Sequence, residues 1–454
     1  MARERENSID VPDHYQRIRR DSEALCEPLT LEDYGVQPMA DASPPKWHLA
    51  HTSWFFETFL LKPYLAGYEV FHPRYEYLFN SYYNGIGNPY PRAARGLLSR
   101  PTVADIHAYR THVDENMAQL LATAEADRAG KVGAGLEEAD TVRQRTTLGL
   151  QHERQHQELL LTDIKYNLGN NPLLPAYLSE IATTHPPAAS EPMAFIDCAP
   201  GVVAIGGTAD EFAFDNELPR HDIYLPPYAL ADCLVTNGDY LEFVLAGGYY
   251  DPGLWLSDGW SWLNETARPR LDELRADDCA ERRFTRCTPL YWYKEGAHWY
   301  EYRLTGVSRL ELSAPVCHVS FYEADAFARW SGARLPLESE WEAAVAATGV
   351  SADNANFVDS GRLHPTRREP SQGQLAQAFG DVWEWTASPY VAYPRYQPLA
   401  GTLGEYNGKF MSNQFVLRGG SCASSSDHIR VSYRNFFYPK DRWQFTGIRL
   451  ARDV

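Results

Sequence analysis

Residues 151–163 read QHERQHQELLLTD and carry two histidines, His152 and His156, four positions apart. On a helix that spacing projects both side chains from one face, a turn apart, so two imidazoles can grip a single metal ion. The same pair also fits two solvated side chains on a surface helix. A metal held by only two imidazoles is weakly bound, so a site here needs a ligand from another element. The stretch WHLAHTSWFFE offers His51, set among Trp54, Phe55 and Phe56, with His48 one turn back. His51 reads either as that third ligand or as a hydrogen-bonded core histidine. Three neutral imidazoles with open coordination positions suit Fe(II), Zn(II) or Ni(II). Of the nearby carboxylates, Glu158 is a candidate to orient an imidazole N–H, whereas Glu153 reads as a solvated helix charge.

The elements that must carry these residues read as four long helices in the first 170 or so positions. DHYQRIRRDSEALCEPL opens the first, KWHLAHTSWFFETFLL follows SPP as the second, and TVADIHAYRTHVDENMAQLLATAEA forms the third behind a capping threonine. The fourth runs from Glu137 to Asn167. Four such helices predict a bundle, an architecture that builds metal sites inward from facing helices. A Pro- and Ala-rich stretch, TTHPPAASEP, marks the expected boundary between a helical domain over 1–175 and a second domain over 190–454. Beyond it come short strands and many glycines and tryptophans (GVVAIGG, GDVWEWTAS, FVLRGGS, GIRLARD), with helices in NGDYLEFVLAG and YEADAFARWSGARLPLESEWEAAVAA. The expected fold class is therefore multidomain, an all-α half followed by an α+β half with long irregular loops.

Composition narrows the partners. The 454 residues are 44% hydrophobic, 22% charged and 13% aromatic, which describes a globular chain with large cores. A formal net charge of −18 argues against nucleic acid or an anionic membrane as the main partner, since both reward basic patches. Seven scattered cysteines without a CxxC indicate neither a zinc ribbon nor a disulfide scaffold. MARERENSID has no apolar core of a signal peptide, and no run approaches membrane-spanning length, so a cytoplasmic location is expected.

Taken together, His51 and HERQHQE in a helical N-terminal half resemble the DinB-like domain. PVCHVSFYEADAFARWSGARLPLESEWEAA, GDVWEWTAS, LRGGS and GIRLARD resemble the formylglycine-generating-enzyme fold, a C-type-lectin-like scaffold. In this order, over nearly the whole chain, the two resemble the ergothioneine-biosynthesis sulfoxide synthases. The resemblance implies a non-haem Fe(II) enzyme that uses O₂ to join a sulfur donor to the imidazole C2 of hercynine, the trimethylated betaine of histidine. It implies His51, His152 and His156 as the iron ligands. It implies Gln155 and Asn435 as holding the histidine-derived substrate, with Phe436 and Tyr406 bordering it. An aromatic face suits a quaternary ammonium, which cannot donate hydrogen bonds. Arg92 and Arg95 match arginines near the donor's carboxylate, where planar guanidinium forks are apt. Arg100 reads as fixing the loop before the third helix.

The sequence also departs from one branch of that family. Where the actinobacterial branch has a catalytic tyrosine, three residues before Tyr406, this chain has Leu403. Phe437 and Asp441 replace the aspartate and arginine that help bind γ-glutamylcysteine there. LFNSYYNGIG, with Tyr82 and Tyr83, instead resembles the branch that takes free cysteine and draws a proton from a tyrosine in this segment. A phenol suits that role because its ordinary pKa near 10 keeps it protonated at neutral pH. Selenoneine synthases share the iron-site spacing but take a selenosugar, so a thiol or a selenol donor fits. Ovothiol synthases share NSYY but carry a further methyltransferase domain, whereas this sequence ends at GIRLARDV. Formylglycine generation needs paired cysteines after RGGS, and only Cys422 stands there. A ligand-binding module without catalysis is the remaining alternative, against which the three histidines argue.

Overall fold

The computed structural model describes residues 10–128, 136–179, 192–208, 210–265, 271–276, 282–283, 286–367 and 374–454. TTHPPAASEP, apart from Pro192, lies outside them. Contacts divide the chain into two compact units. The first takes in Met1–Asn170 with two later segments, Asp210–Phe212 and Pro398–Tyr406, and the second takes in the rest.

The first unit is built on α1 (Val11–Ala24), α2 (Pro45–Phe56), α3 (Val103–Arg128) and α4 (Leu136–Gly169), the four helices the periodicity predicts. Asp10 caps α1, its carboxylate accepting from the Asp13 N–H at 3.3 Å. α2 opens on Pro45, where a missing N–H is harmless because that group has no helical partner anyway. Every residue of α2 is buried, so this helix is the core of the unit and not one of its faces. It continues into a π-helical stretch, Glu57–Leu61, and its Glu57 accepts from the hydroxyls of Tyr109 at 2.8 Å and Tyr68 at 2.6 Å. α4 crosses α2 closely at Gly149. A Cβ there would stand 2.6 Å from a Phe56 ring carbon and 2.9 Å from one of Phe55, so only glycine permits the approach.

Glu153 corrects the sequence reading. It is not a solvated charge but fully buried, at 0% exposure. Arg19 of α1 donates to it at 2.9 Å, Ser22 at 2.6 Å, and Arg110 of α3 at 3.2 Å. Arg110 also donates to the Leu49 carbonyl at 2.9 Å, and Arg19 to Ser53 at 2.6 Å, both on α2. The carboxylate therefore ties all four helices together. Burial alone disfavours its charge, but the two guanidinium groups outweigh that and hold its pKa below the usual value.

The second unit is α+β, as expected. It holds a sheet of order β1–β4–β13 (Phe195–Cys198, Tyr228–Ala231, Ala451–Asp453) and a hairpin of β2 (Gly201–Ile205) with β3 (His221–Leu225). A sheet of β5 (Arg282–Arg283), β6 (Trp292–Glu295), β7 (His298–Arg303) and β8 (Gly306–Arg309) runs in chain order. The fourth sheet has the order β11–β10–β9–β12 (Asn435–Phe437, Phe415–Arg418, Trp383–Pro389, Thr446–Gly447). Three helices, α5 (Asn237–Ala246), α6 (Phe321–Trp330) and α7 (Glu338–Thr348), complete the core. Charges inside it are paired: Arg449 donates to Glu384 at 2.7 Å, and Glu338 accepts from Arg418 at 2.8 Å and Arg434 at 2.9 Å. Those last pairs fix β10 and the residue before β11. Among the described residues, no helix is long and apolar enough to cross a membrane.

Candidate metal centre

His51 on α2 and His152 and His156 on α4 converge, with one ring nitrogen from each lying within 4.8 Å of the others. Ring centroids are 5.1 Å apart for His51 and His152, and 4.6 Å for both other pairs. His51 and His152 are buried, and His156 is partly exposed. Burial, ahead of the neighbouring imidazoles, pushes the pKa of His51 and His156 well down. Burial likewise lowers that of His152, to about 3. All three are neutral at physiological pH, the form that ligates a metal.

The unmet hydrogen bonds test whether a metal fits. Nε2 of His51 and both ring nitrogens of His152 are buried with no hydrogen-bond partner. Leaving a buried polar atom unsatisfied costs about 1–3 kcal/mol. One nitrogen each from His51 and His152, on facing helices, is therefore available to a cation that an apolar core would not satisfy, and His156 stands beside them as the third ring. The other nitrogen of His51 is engaged, at 2.6 Å from the Phe79 carbonyl, and Trp47 stacks on its ring at 4.6 Å.

Around the histidines the structure gathers several of the residues singled out in the sequence. The Tyr406 hydroxyl donates to Gln155 Oε1, and its ring stands 5.5 Å from that of His152. Chain order puts Tyr406 in the second half, yet it packs with the helical unit. Its neighbour Glu405 accepts from the backbone N–H groups of Asn84 at 3.0 Å and Gly85 at 2.8 Å, which pins the Pro398–Tyr406 segment there. Tyr82 lies 6.4 Å from Tyr406, ring to ring, and 4.7 Å from Tyr83. Tyr83 is fully buried against Trp54 and Phe59, and burial raises its pKa well above that of a free phenol. The Arg95 guanidinium lies 3.3 Å over the Trp47 ring and donates to Ser43 at 2.9 Å, while its Nε is buried without a hydrogen bond. Arg92 is exposed and donates to the Asp41 carbonyl. Arg100 donates to the Ser99 carbonyl at 3.1 Å.

Asn435, Phe436 and Phe437 share β11 of the second unit. Phe436 stacks on Tyr390 at 4.0 Å, and Asn435 Oδ1 accepts from the Phe436 N–H at 2.9 Å. The sequence reading passed over Asp163 and Arg19. Asp163 stands seven residues beyond His156, two turns along the same helical face, and that spacing is a signal that could have found it. Arg19 had none, because its partners lie across the bundle.

Comparisons with known proteins follow the same division. Residues 14–160 match the DinB superfamily, and residues 183–454 match the sulfatase-modifying factor enzyme 1-like domain. The chain is 28% identical over 436 residues to a hercynine oxygenase of Mycolicibacterium smegmatis, covering 91% of each. It is 29% identical over 480 residues to a hercynine oxygenase of Mycolicibacterium thermoresistibile, covering 98% of this chain and 96% of that one. Similarity to a formylglycine-generating enzyme of Streptomyces coelicolor, 28% over 290 residues, covers 56% of this chain and 87% of the other.

Proposed function

The chain belongs to the ergothioneine sulfoxide synthase family, a DinB helical domain followed by a sulfatase-modifying-factor-like, C-type-lectin-like domain, and from that premise we propose that it is a non-haem Fe(II) enzyme. Its reaction joins a thiol donor, cysteine, to the imidazole C2 of hercynine and oxidises the new thioether to a sulfoxide: the C2–H and S–H bonds break, one oxygen atom of O₂ goes to sulfur and the other leaves as water. The chain is an oxidoreductase with small-molecule substrates; the metal, the donor and the residue roles are what this reading adds. The observation that carries it is the convergence of three neutral imidazoles from two facing helices, with ring nitrogens of His51 and His152 buried and unmet. His51, His152 and His156 would hold the iron, which supplies the activation of O₂. A three-histidine set leaves positions free and brings no negative charge, which suits a substrate that arrives as a thiolate.

The chain's own residues bind and orient. By the resemblance each unit contributes residues to hercynine binding: Gln155, already hydrogen-bonded by Tyr406, and the Tyr406 ring in the first, and Asn435 and the Phe436 ring in the second, an aromatic face suiting the trimethylammonium group. Arg92 and Arg95 take the donor's carboxylate, for which the unbonded Nε of Arg95 is suited. Tyr82 or Tyr83 holds the proton that the oxidation consumes. Leu403, Phe437 and Asp441 lack the groups that favour γ-glutamylcysteine, and they fit a selenosugar as well as cysteine.

The test is mass spectrometry of anaerobically iron-loaded protein given hercynine, O₂ and competing cysteine, γ-glutamylcysteine and a selenosugar. A cysteine adduct at hercynine C2 is expected. His156→Ala should abolish it with the helical unit still folded. Full activity with one iron per chain in that variant would remove the ligand assignment.

A further inference from the structure

Beyond the three histidines, a fourth imidazole and a carboxylate are buried against the cluster. His48 Nδ1 lies 3.0 Å from His156 Nδ1, and His48 Nε2 lies 3.0 Å from Asp163 Oδ2. The same carboxylate oxygen accepts from the backbone N–H of Ser43 at 2.7 Å. His48, Asp163 and Ser43 are exposed by 4%, 3% and 1%, so water does not compete for the bonds to Asp163.

Counting donors and acceptors leaves two arrangements of the protons, of which only one leaves His156 able to ligate through Nε2. A carboxylate only accepts, so the proton between it and His48 belongs to His48 Nε2. In the arrangement with no second proton on His48, its Nδ1 is bare, and the hydrogen in the 3.0 Å contact comes from His156 Nδ1. That leaves the Nε2 lone pair of His156 for another partner. His51 reaches the same state by a different route, because the Phe79 carbonyl can only accept from His51 Nδ1. Reversing the polarity at His48 would leave an N–H on His156 Nε2, and that nitrogen could no longer ligate.

We infer that Asp163 and His48 are positioning residues whose hydrogen-bonded relay holds His156 in the one tautomer and ring orientation that presents Nε2 to a metal. The inference rests on the metal-centre reading above and deepens it. Orientation of a ligating imidazole through its other nitrogen by a carboxylate is a general device, and losing such a partner typically weakens metal binding 10–100-fold. Here an additional imidazole is interposed. Asp163 thereby couples the backbone at Ser43, two residues before α2, to a ligand on α4.

Two measurements test it. Long-range ¹H–¹⁵N spectra of the metal-free protein labelled at histidine should show His51 and His156 protonated on Nδ1 and bare on Nε2. A proton on Nε2 of His156 would overturn the inference whatever any variant does. Titration with Co(II) alone then reads affinity and coordination. His48→Phe and Asp163→Ala should raise the Co(II) dissociation constant by about 10–100-fold and shift its visible bands toward those of His156→Ala. Asp163→Asn, which keeps an acceptor oxygen, should recover most of the affinity. Wild-type protein binding one Co(II), with unchanged affinity and spectrum in both disrupting variants, would overturn the relay alone. A wild-type protein that takes up no Co(II) would overturn the metal centre and the relay with it.

Discussion

At the scale of single residues the open matter is the proton. Leu403 removes the phenol that one branch of the family uses, and three tyrosines remain in reach by type: Tyr82, Tyr83 and Tyr406. Tyr406 is the one whose ring meets His152, but its hydroxyl is engaged with Gln155. Tyr83 is packed among Trp54 and Phe59, whereas Tyr82 is half-buried with its ring tilted at 6.4 Å from that of Tyr406. Tyr82, the more accessible of the pair, is therefore the one to test first. Tyr82→Phe keeps the ring and loses only the hydroxyl, so substrates should still bind. Product should shift from the C2 adduct toward the sulfinic acid of the donor with O₂ uptake nearly unchanged, as read by coupled mass spectrometry and an oxygen electrode. The same shift in Tyr83→Phe, with Tyr82→Phe making adduct at the wild-type rate, would exchange their roles.

At the scale of elements, the helical unit depends on one carboxylate on α4 that gathers α1, α2 and α3 through Arg19, Ser22 and Arg110. Removing one member of a fully buried ion network leaves the others uncompensated and typically costs about 3–5 kcal/mol. Glu153→Gln should lower stability by about that much at pH 7. The folded pKa of Glu153 is depressed, so its contribution is complete above the unfolded value of about 4.3 and is lost as pH falls through the folded value. The stability gap between wild type and Glu153→Gln, from urea denaturation, should hold between pH 7 and 5 and narrow below about pH 4. A gap that widens in acid would mean that the charge is not what Glu153 contributes.

At the scale of the whole molecule, the three metal-binding histidines lie in the first unit whereas Asn435 and Phe436, assigned to hercynine, lie in the second, so loss of Phe436 should separate substrate recognition from metal binding. Phe436→Ala, on β11, should weaken hercynine by about 1–2 kcal/mol, roughly tenfold, and the sulfur donor less. Metal content should stay at the wild-type level. Equal weakening of both substrates in binding assays would place the aromatic contact elsewhere. Much of this was legible in the chain itself. Helical periodicity is local, so the four helices, the one-turn spacing of His152 and His156 and the isolation of His51 in an apolar helix could be read directly. The change in character near residue 180 pointed to two domains, whereas the compact units divide at Asn170 and the first also takes in Asp210–Phe212 and Pro398–Tyr406. What sequence could not supply are the pairings made across more than a hundred residues. Glu153 looks like any charge on a polar helix until Arg19 and Arg110 arrive from α1 and α3. Tyr406 reads as part of the second half until Glu405 bonds the backbone at Asn84 and Gly85. The histidine spacing says that two imidazoles share a face, but only the position of Asp163 and His48 in the folded bundle decides which nitrogen His156 turns outward. Spacing along a helix sets a direction, whereas a tautomer is set by whatever partner tertiary packing brings to the other side of the ring.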